Sequence, residues 1–263
     1  MTRALGLAAL TVLDVAPPVQ IAIAAEAGYS HVGLRLIPAT AEEVRHPIVG
    51  DTPMVREVER LLADTGMKVL DVEIFRLTLD VRLDAFEPAM ATAARLGARH
   101  MLVAGNDPEP ARLRDSFARL AELAARYGLT PSLEPMPWTD VPTVQAAQRI
   151  IEGVDQPAGV LVDAIHFFRA DNRLSDLAGL PRHRLHYMQL CDAPAERPAD
   201  TAELIRQARS DRLFPGEGGL DLRALVHALP PDLPVSLEIP VARKMAPLAR
   251  ARRALEAARL FLS

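Results

Sequence analysis

Residues 97–134 read GARHMLVAGNDPEPARLRDSFARLAELAARYGLTPSLE, and this stretch decides the fold class. It predicts an apolar strand over His100–Ala104, an amphipathic helix over Glu109–Tyr127 and a second strand over Thr130–Glu134. Gly128 stands between the helix and the second strand, where a helix often ends on a residue with a left-handed backbone. A strand, a helix and a strand in this order predict two parallel strands joined by a crossover.

The same alternation continues in both directions along the chain. Six further strands are predicted at Leu5–Leu10, His31–Leu36, Lys68–Phe75, Gly159–Asp163, Leu185–Leu190 and Pro234–Glu238. The other helices are predicted at Pro17–Ala27, Pro53–Thr65, Leu83–Leu96, Val144–Glu152, Asp200–Arg209, Leu222–Leu229 and Pro247–Leu262, with only a short helix near 174–180 after the sixth strand. Eight strand–helix units in 263 residues predict an α/β fold, a single (β/α)8 TIM barrel that takes residues 1–263 as one domain.

The alternative arrangement of these elements is an open, doubly wound sheet. That fold usually places a glycine-rich phosphate-binding turn after its first strand. Here the first turn, from residue 11 to residue 18, reads TVLDVAPP and contains no glycine. The closed barrel is therefore favoured.

Composition excludes several classes of protein. Hydrophobic residues make up 49% of the chain and charged residues 24%, so the chain can bury a core. The net charge of −4 argues against a nucleic-acid partner, and no stretch of about 18 apolar residues predicts a membrane span. Cys191 is the single cysteine, which excludes an intrachain disulfide and favours a cytoplasmic location.

Lysine is almost absent from the sequence, because Lys68 and Lys244 are the only two lysines among 30 basic residues. Lys68 begins a predicted strand, at the end of the barrel that does not carry chemistry. Lys244 follows the last strand and could reach the site only from a loop. A mechanism that forms a Schiff base with lysine is therefore disfavoured.

Four successive strands end in a carboxylate or an amide: Glu134, Asp163, Gln189 and Glu238. Chemistry in such barrels collects at the carboxyl ends of the strands, and neighbouring strands lie about 4.8 Å apart. Several carboxylates that converge in a half-buried site need a compensating charge. The pattern predicts a divalent metal ion, with Mg²⁺ or Mn²⁺ favoured by the oxygen ligands and Co²⁺ or Zn²⁺ possible.

These residues resemble the xylose-isomerase-like barrels, the sugar phosphate isomerases and epimerases. In that family a metal is held by Glu, Asp, His and Glu on strands five to eight. The resemblance implies Glu134, Asp163, Gln189 and Glu238 as metal ligands here, with Gln189 in place of the family's histidine. A glutamine can bind a metal through its carbonyl oxygen. The segment Pro215–Asp221, PGEGGLD, also resembles the family's loop before the last strand.

One branch of this superfamily, the 3-dehydroshikimate dehydratases, is similar in further detail. Gln189 is followed by Asp192-Ala-Pro, and Phe214-Pro-Gly and Ser236-Leu-Glu-Ile look similar there too. Strand three and the end of strand five do not decide between the branches.

The resemblance implies a proton transfer next to a carbonyl through a metal-stabilised enediolate. Glu134 and Glu238 would exchange the proton, and His166 would position a hydroxyl or shuttle a proton, or simply pack. The first hypothesis is a sugar (phosphate) isomerase or epimerase acting on a keto sugar or polyol-like substrate. The second is a dehydratase, a lyase using the same metal site. A DNA-repair endonuclease and a non-catalytic binding barrel remain as further alternatives.

Candidate substrate-binding residues lie near the predicted mouth of the barrel: Arg35, Glu73, Arg76, Trp138 and Arg197. The arginines suit a carboxylate or a phosphate group, although ion pairs between loops explain them equally well. Trp138 is expected to wall the site or to pack. The expected partner is a small polyhydroxy carbonyl substrate, and a homo-oligomer is possible through the apolar residues of the last helix.

Overall fold

The computed structural model describes residues 3–263. Its strands are β1 Leu5–Leu7, β2 His31–Arg35, β3 Lys68–Thr78, β4 His100–Asn106, β5 Thr130–Glu134, β6 Gly159–Val160, β7 Val162–Asp163, β8 Met188–Leu190 and β9 Val235–Leu237. They pair in the order β6-β5-β4-β3-β2-β1-β9-β8-β7, and every pairing is parallel.

The sheet closes through its sixth strand position. β6 and β7 are two halves of one extended segment separated by Leu161, whose N–H donates to the Leu133 carbonyl at 3.0 Å. β6 pairs with β5 and β7 pairs with β8, so the nine short strands occupy eight positions around a barrel. The predicted TIM barrel is confirmed, and the open sheet is excluded.

Helices cover the outside of the barrel. They are α1 Pro17–Ala27, α2 Pro53–Thr65, α3 Glu87–Arg95, α4 Pro110–Ala125, α5 Val144–Ile151, α6 Ala164–Arg169, α7 Leu174–Leu177, α8 Thr201–Ser210, α9 Leu222–Ala228 and α10 Pro247–Leu262. Short 3-10 turns occur at Ala9–Val12, Leu83–Phe86 and Arg182–Arg184. No helix within residues 3–263 is long and apolar enough to cross a membrane.

Local signals explain why these segments begin and end where they do. The Thr52 hydroxyl accepts a hydrogen bond from the Val55 N–H at 3.2 Å, which caps the start of α2. Gly128 adopts a φ of 68°, so the chain can leave the helical region after α4 and enter β5. After β7 the sequence predicts only one short helix near 174–180, and this prediction is incomplete. A further helix, α6, begins immediately at Ala164 and precedes the short helix α7.

Alternation along the strands divides the buried residues into two groups. On β4, Met101 and Val103 belong to the large core beneath the helices, whereas Leu102 and Ala104 belong to a separate cluster with Leu161. Since neighbouring residues of a strand point to opposite faces, the second cluster fills the barrel interior. The polar side chains at the strand ends therefore lie next to this apolar interior cluster.

Candidate active site

The four predicted strand-end residues lie at the same end of the barrel. Glu134 ends β5, Asp163 ends β7, Gln189 lies within β8 and Glu238 follows β9 directly. All four are buried, with at most 4% of the residue surface exposed. Gln189 is paired in register with both Asp163 on β7 and Ser236 on β9, which fixes these strand ends side by side.

His166 joins this group from the first turn of α6. The Asp163 Oδ1 accepts a hydrogen bond from the His166 N–H at 3.0 Å, so the strand-end carboxylate also caps the helix that carries the histidine. One ligand atom from each of Glu134, Asp163 and His166 lies within 4.8 Å of the others. The His166 Nε2 is 3.8 Å from the Glu134 Oε1. The Trp138 ring contacts the imidazole edge-on, with 5.0 Å between the ring centroids.

Arg212 is the central residue that the sequence analysis missed. Its Nη1 lies 2.6 Å from the Asp163 Oδ2, and its Nη2 lies 2.8 Å from the Glu238 Oε2. The guanidinium is buried, and its Nε donates to the Ala208 carbonyl at 2.6 Å. Arg212 comes from the segment after α8 and not from a strand end. Its position just before Phe214-Pro-Gly was the available signal.

Buried charge shifts the acidity of each group in this site. Burial raises the pKa of Glu134 well above its ordinary value, with a further contribution from Asp163. Burial raises the pKa of Glu238 to about 8, although Arg212 opposes the shift. For Asp163, burial acts in the same direction, but the charge of Arg212, the hydrogen bonds from Arg212 and the His166 N–H, and the nearby His166 together outweigh it and lower the pKa.

The two basic groups of the site behave differently from each other. Burial opposes the Arg212 charge, but Asp163, Cys191 and Glu238 together outweigh that effect and raise the pKa of Arg212 well above its ordinary value. Burial lowers the pKa of His166 to about 4, despite the opposing effect of Asp163. At neutral pH the site therefore contains a permanent guanidinium and a neutral imidazole that can accept a proton.

The residues of this site fit a divalent cation. Three carboxylates, Glu134, Asp163 and Glu238, face one buried guanidinium, so full ionisation leaves two negative charges to balance. The Gln189 Nε2 donates to the Glu238 Oε1 at 3.1 Å, which leaves the Gln189 Oε1 buried without a partner among residues 3–263. A carbonyl oxygen in this position suits a hard cation. These four residues would hold it, with His166 beside them.

A cavity of about 140 Å³ opens onto this cluster. Glu134, His166, Glu238 and Arg212 contribute its polar surface. Its apolar wall includes Ile74, Leu102, Met136 and Trp138. Asp163 and Gln189 do not line the cavity, so they lie behind the groups that a bound molecule would touch.

The other candidate residues divide into two groups. Glu73, Arg76 and Trp138 line the cavity, and Arg35 lines it while it forms an ion pair with Glu73 at 3.3 Å. Arg197 does not line the cavity. Its exposed side chain pairs with Asp171 at 3.2 Å, because the segment after β8 carries it to the surface.

Two arginines on the cavity have no carboxylate partner within the described part of the chain. The Arg76 Nη1 donates to the Asn106 side-chain oxygen at 3.1 Å, and Arg209 extends from α8. Burial and the nearby charge of Arg209 lower the pKa of Arg76. Arg209 was not predicted from the sequence as a site residue.

The chain thus forms a parallel eight-position barrel with carboxylates at the ends of its later strands. The family model for the xylose isomerase-like TIM barrel matches residues 21–262, and the chain belongs to this family.

Sequence and structure comparisons identify individual relatives. The chain is 32% identical over 201 residues to a 3-dehydroshikimate dehydratase of Pseudomonas aeruginosa. The aligned region covers 70% of this chain and 31% of that protein. It thus spans about a third of the length of this relative. A fusion of a xylose isomerase-like TIM barrel with a 4-hydroxyphenylpyruvate dioxygenase matches with a TM-score of 0.80 and 23% identity, over 98% of this chain and 42% of that chain.

A further solved structure shares the whole fold. The IolI protein, whose structure holds a zinc atom, matches with a TM-score of 0.81 and 18% identity over 98% of both chains. At this identity the match establishes the fold.

Proposed function

We propose that this chain is a metal-dependent dehydratase that removes water from a cyclic hydroxy keto acid of the 3-dehydroshikimate type. The observation that carries the proposal is the pair Arg76 and Arg209, two guanidiniums on the cavity without carboxylate partners among residues 3–263. Two neighbouring cations at the edge of a cavity favour an anionic group between them. The relationship to a 3-dehydroshikimate dehydratase supports the same assignment.

The reaction needs a proton acceptor next to the substrate carbonyl. In a β-hydroxy ketone, the base takes the proton α to the carbonyl, and the C–H electron pair forms the double bond between the α and β carbons as the β C–O bond breaks. The base then returns the proton to the departing hydroxide, which leaves as water. His166 is suited to accept the proton because burial keeps its imidazole neutral at pH 7. Glu134, 3.8 Å away, would stabilise the imidazolium that forms.

Negative charge that develops on the carbonyl oxygen needs stabilisation. Arg212 lines the cavity and keeps its charge, so it can stabilise that oxygen as the enolate forms. A divalent cation held by Glu134, Asp163, Gln189 and Glu238 would polarise the same carbonyl. Met136 and Trp138 restrict water on the apolar side of the cavity.

The test is turnover of 3-dehydroshikimate by the protein loaded with Mg²⁺, Mn²⁺, Co²⁺ or Zn²⁺ in turn, followed by the absorbance of an aromatic product. We expect Arg76→Met and Arg209→Met each to raise KM by about tenfold or more, since each loses one charge-assisted contact. Arg82→Met is the matched control. Arg82 is exposed, forms an ion pair with Asp84 at 2.7 Å and does not line the cavity. Absence of an aromatic product with every metal would contradict the proposal.

The second candidate is an isomerase or epimerase of a keto sugar. The observation that favours it is that Glu134 and Glu238 both line the cavity, as an exchange of one proton between two carboxylates requires. Incubation with ketoses in deuterated water distinguishes the two functions. An epimerase would incorporate deuterium next to the carbonyl of a neutral sugar, and a dehydratase specific for an acid would not.

A further inference from the structure

Arg35 holds together two carboxylates at the cavity wall. Its Nη1 donates to both oxygens of Glu43, at 3.0 and 2.9 Å, and its Nη2 donates to the Glu73 Oε2 at 3.3 Å. Burial opposes the charge of Arg35, but Glu73 and Glu43 outweigh it and raise its pKa. The guanidinium is therefore already neutralised and is poorly suited to bind a substrate anion.

Glu73 presents one free oxygen at this wall. The residue is 2% exposed and lines the cavity, and its Oε1 has no hydrogen-bond partner among residues 3–263. A buried carboxylate oxygen that lacks a donor is unfavourable, and the donor can come from a ligand. Arg35 fixes the other oxygen, so the orientation of the free one is determined before a ligand arrives.

We infer that Glu73 selects a hydroxylated substrate by accepting a hydrogen bond from a ligand hydroxyl, and that Glu43 positions Glu73 through Arg35. The inference deepens the proposed function, since the carboxylate end of such a ligand would meet Arg76 and Arg209. Arg35 beside Glu73 disfavours an ammonium group at this place, because it would face a guanidinium. A neutral hydroxyl donor fits both the free oxygen and its neighbour.

The experiment measures binding of two non-reacting acids to the Mg²⁺-loaded protein by calorimetry. Shikimate carries ring hydroxyls, and cyclohex-1-ene-1-carboxylate has the same ring and carboxylate without them. We expect the wild-type protein to prefer shikimate and Glu73→Leu to reduce that preference by about tenfold to a hundredfold, the range of a hydrogen bond to a charged group. Binding of cyclohex-1-ene-1-carboxylate should stay within about twofold.

Further variants separate recognition from loss of structure. Glu73→Gln keeps the shape of the side chain and should lose part of the preference. Glu43→Gln, which weakens the hold on Arg35, should lose a smaller part. Asp107→Asn is the matched control: Asp107 is a buried carboxylate that also pairs with an arginine, Arg112 at 2.6 Å, but it does not line the cavity, so the preference should not change.

Two outcomes would overturn the inference. One is an unchanged preference in both Glu73 variants. The other is an equal loss of affinity for both acids in correctly folded protein, which would indicate a structural role. Because neither acid is turned over, the result is independent of the dehydratase assay. A Glu73-dependent preference without turnover of 3-dehydroshikimate would leave this inference standing while the proposed function failed.

Discussion

The two ends of the barrel interior use buried titratable residues in opposite ways. At the carboxyl ends of the strands, Glu134, Asp163 and Glu238 surround Arg212 and His166. At the other end, His100 at the start of β4 stacks on His186 with ring centroids 5.2 Å apart and on Tyr187 at 5.4 Å. One end collects charges, and the other collects neutral rings.

Two histidines, the buried His166 and the partly buried His100, show what this difference means. Burial lowers the pKa of His166 to about 4 and that of His100 to about 3, so both are neutral at pH 7. His166 faces a carboxylate and a cavity, whereas His100 faces aromatic rings. Burial alone does not make a reactive group. The reactive end differs because carboxylates and a guanidinium surround its histidine and because a cavity gives a ligand access to it.

The largest expected effect compares two residues on one strand. Glu134 and Ser132 both lie on β5, and both are buried. Glu134 lies at the reactive end of the barrel, whereas the Ser132 Oγ lies 3.4 Å from the His186 Nδ1 at the opposite end. We expect Glu134→Gln to lower kcat for 3-dehydroshikimate by about 10³-fold, because a metal ligand and the charge that stabilises the His166 imidazolium are both lost. Ser132→Ala should keep kcat within about twofold. Equal effects of the two substitutions would remove the distinction between the ends.

The second effect concerns stability. Arg212→Met leaves Asp163 and Glu238 buried without their cation, and we expect a loss of about 3–5 kcal/mol in urea unfolding of metal-free protein. Arg184→Met at the opposite end is the control. Arg184 donates to the Val154 carbonyl at 2.9 Å and to the Ala158 carbonyl at 3.2 Å, so about 1–2 kcal/mol is expected. A smaller loss for Arg212→Met than for Arg184→Met would contradict the charge argument.

The sequence predicts the order of the strands and helices well, but it does not predict which charged residues pair at the reactive end. Element order and the inward-facing acidic residues at strand ends follow from short-range patterns, and the structure confirms the barrel. Thr130–Glu134, Pro17–Ala27 and Pro53–Thr65 agree with the observed bounds to the residue, because glycine, proline and capping residues mark their ends.

Residues that act across the barrel could not be found in this way. Arg212 is 49 residues from Asp163 in the chain and pairs with it only because α8 and the following segment return to the strand ends. For Arg35 the sequence leaves substrate binding and an ion pair between loops equally open, and its pairing with Glu43 depends on the course of the loop after β2. Pairing of buried charges is a three-dimensional property, and neither periodicity nor spacing records it.

The third prediction uses the raised pKa values at the reactive end. In metal-free protein at pH 6, Glu238, with a pKa of about 8, holds its proton, and the raised pKa of Glu134 favours the same state. Both must ionise to bind a cation, so Mn²⁺ binding should release protons. Affinity should increase with pH by up to about tenfold per unit for each proton released, and the contribution of Glu238 should level off above about pH 8.

Titration calorimetry in buffers of different ionisation enthalpy measures this release. Glu238→Gln should release one proton fewer than the wild-type protein while it binds more weakly. Asp192→Asn is a suitable comparison, since Asp192 is buried but accepts from the Gly216 and Gly218 N–H groups and lies outside the cluster. Metal affinity that does not depend on pH between 6 and 8 would show that the carboxylates are already ionised.

The smallest effect tests the neutral end. The folded-state pKa of His100 is about 3, below the ordinary value of 6.5, so the unfolded chain binds more protons between these values. The stabilisation is therefore complete above pH 6.5 and is lost as the pH falls towards 3. We expect His100→Phe, which keeps a ring in the stack, to lose less stability than the wild-type protein between pH 7 and pH 4, by up to about 3 kcal/mol. His166 titrates equally in both proteins and cancels in this difference, and kcat at pH 7.5 should stay within about twofold because the ring is remote from the cavity. An identical pH dependence of urea unfolding in the two proteins would show that His100 is not kept neutral by burial, and the comparison between the two ends would then rest on His166 alone.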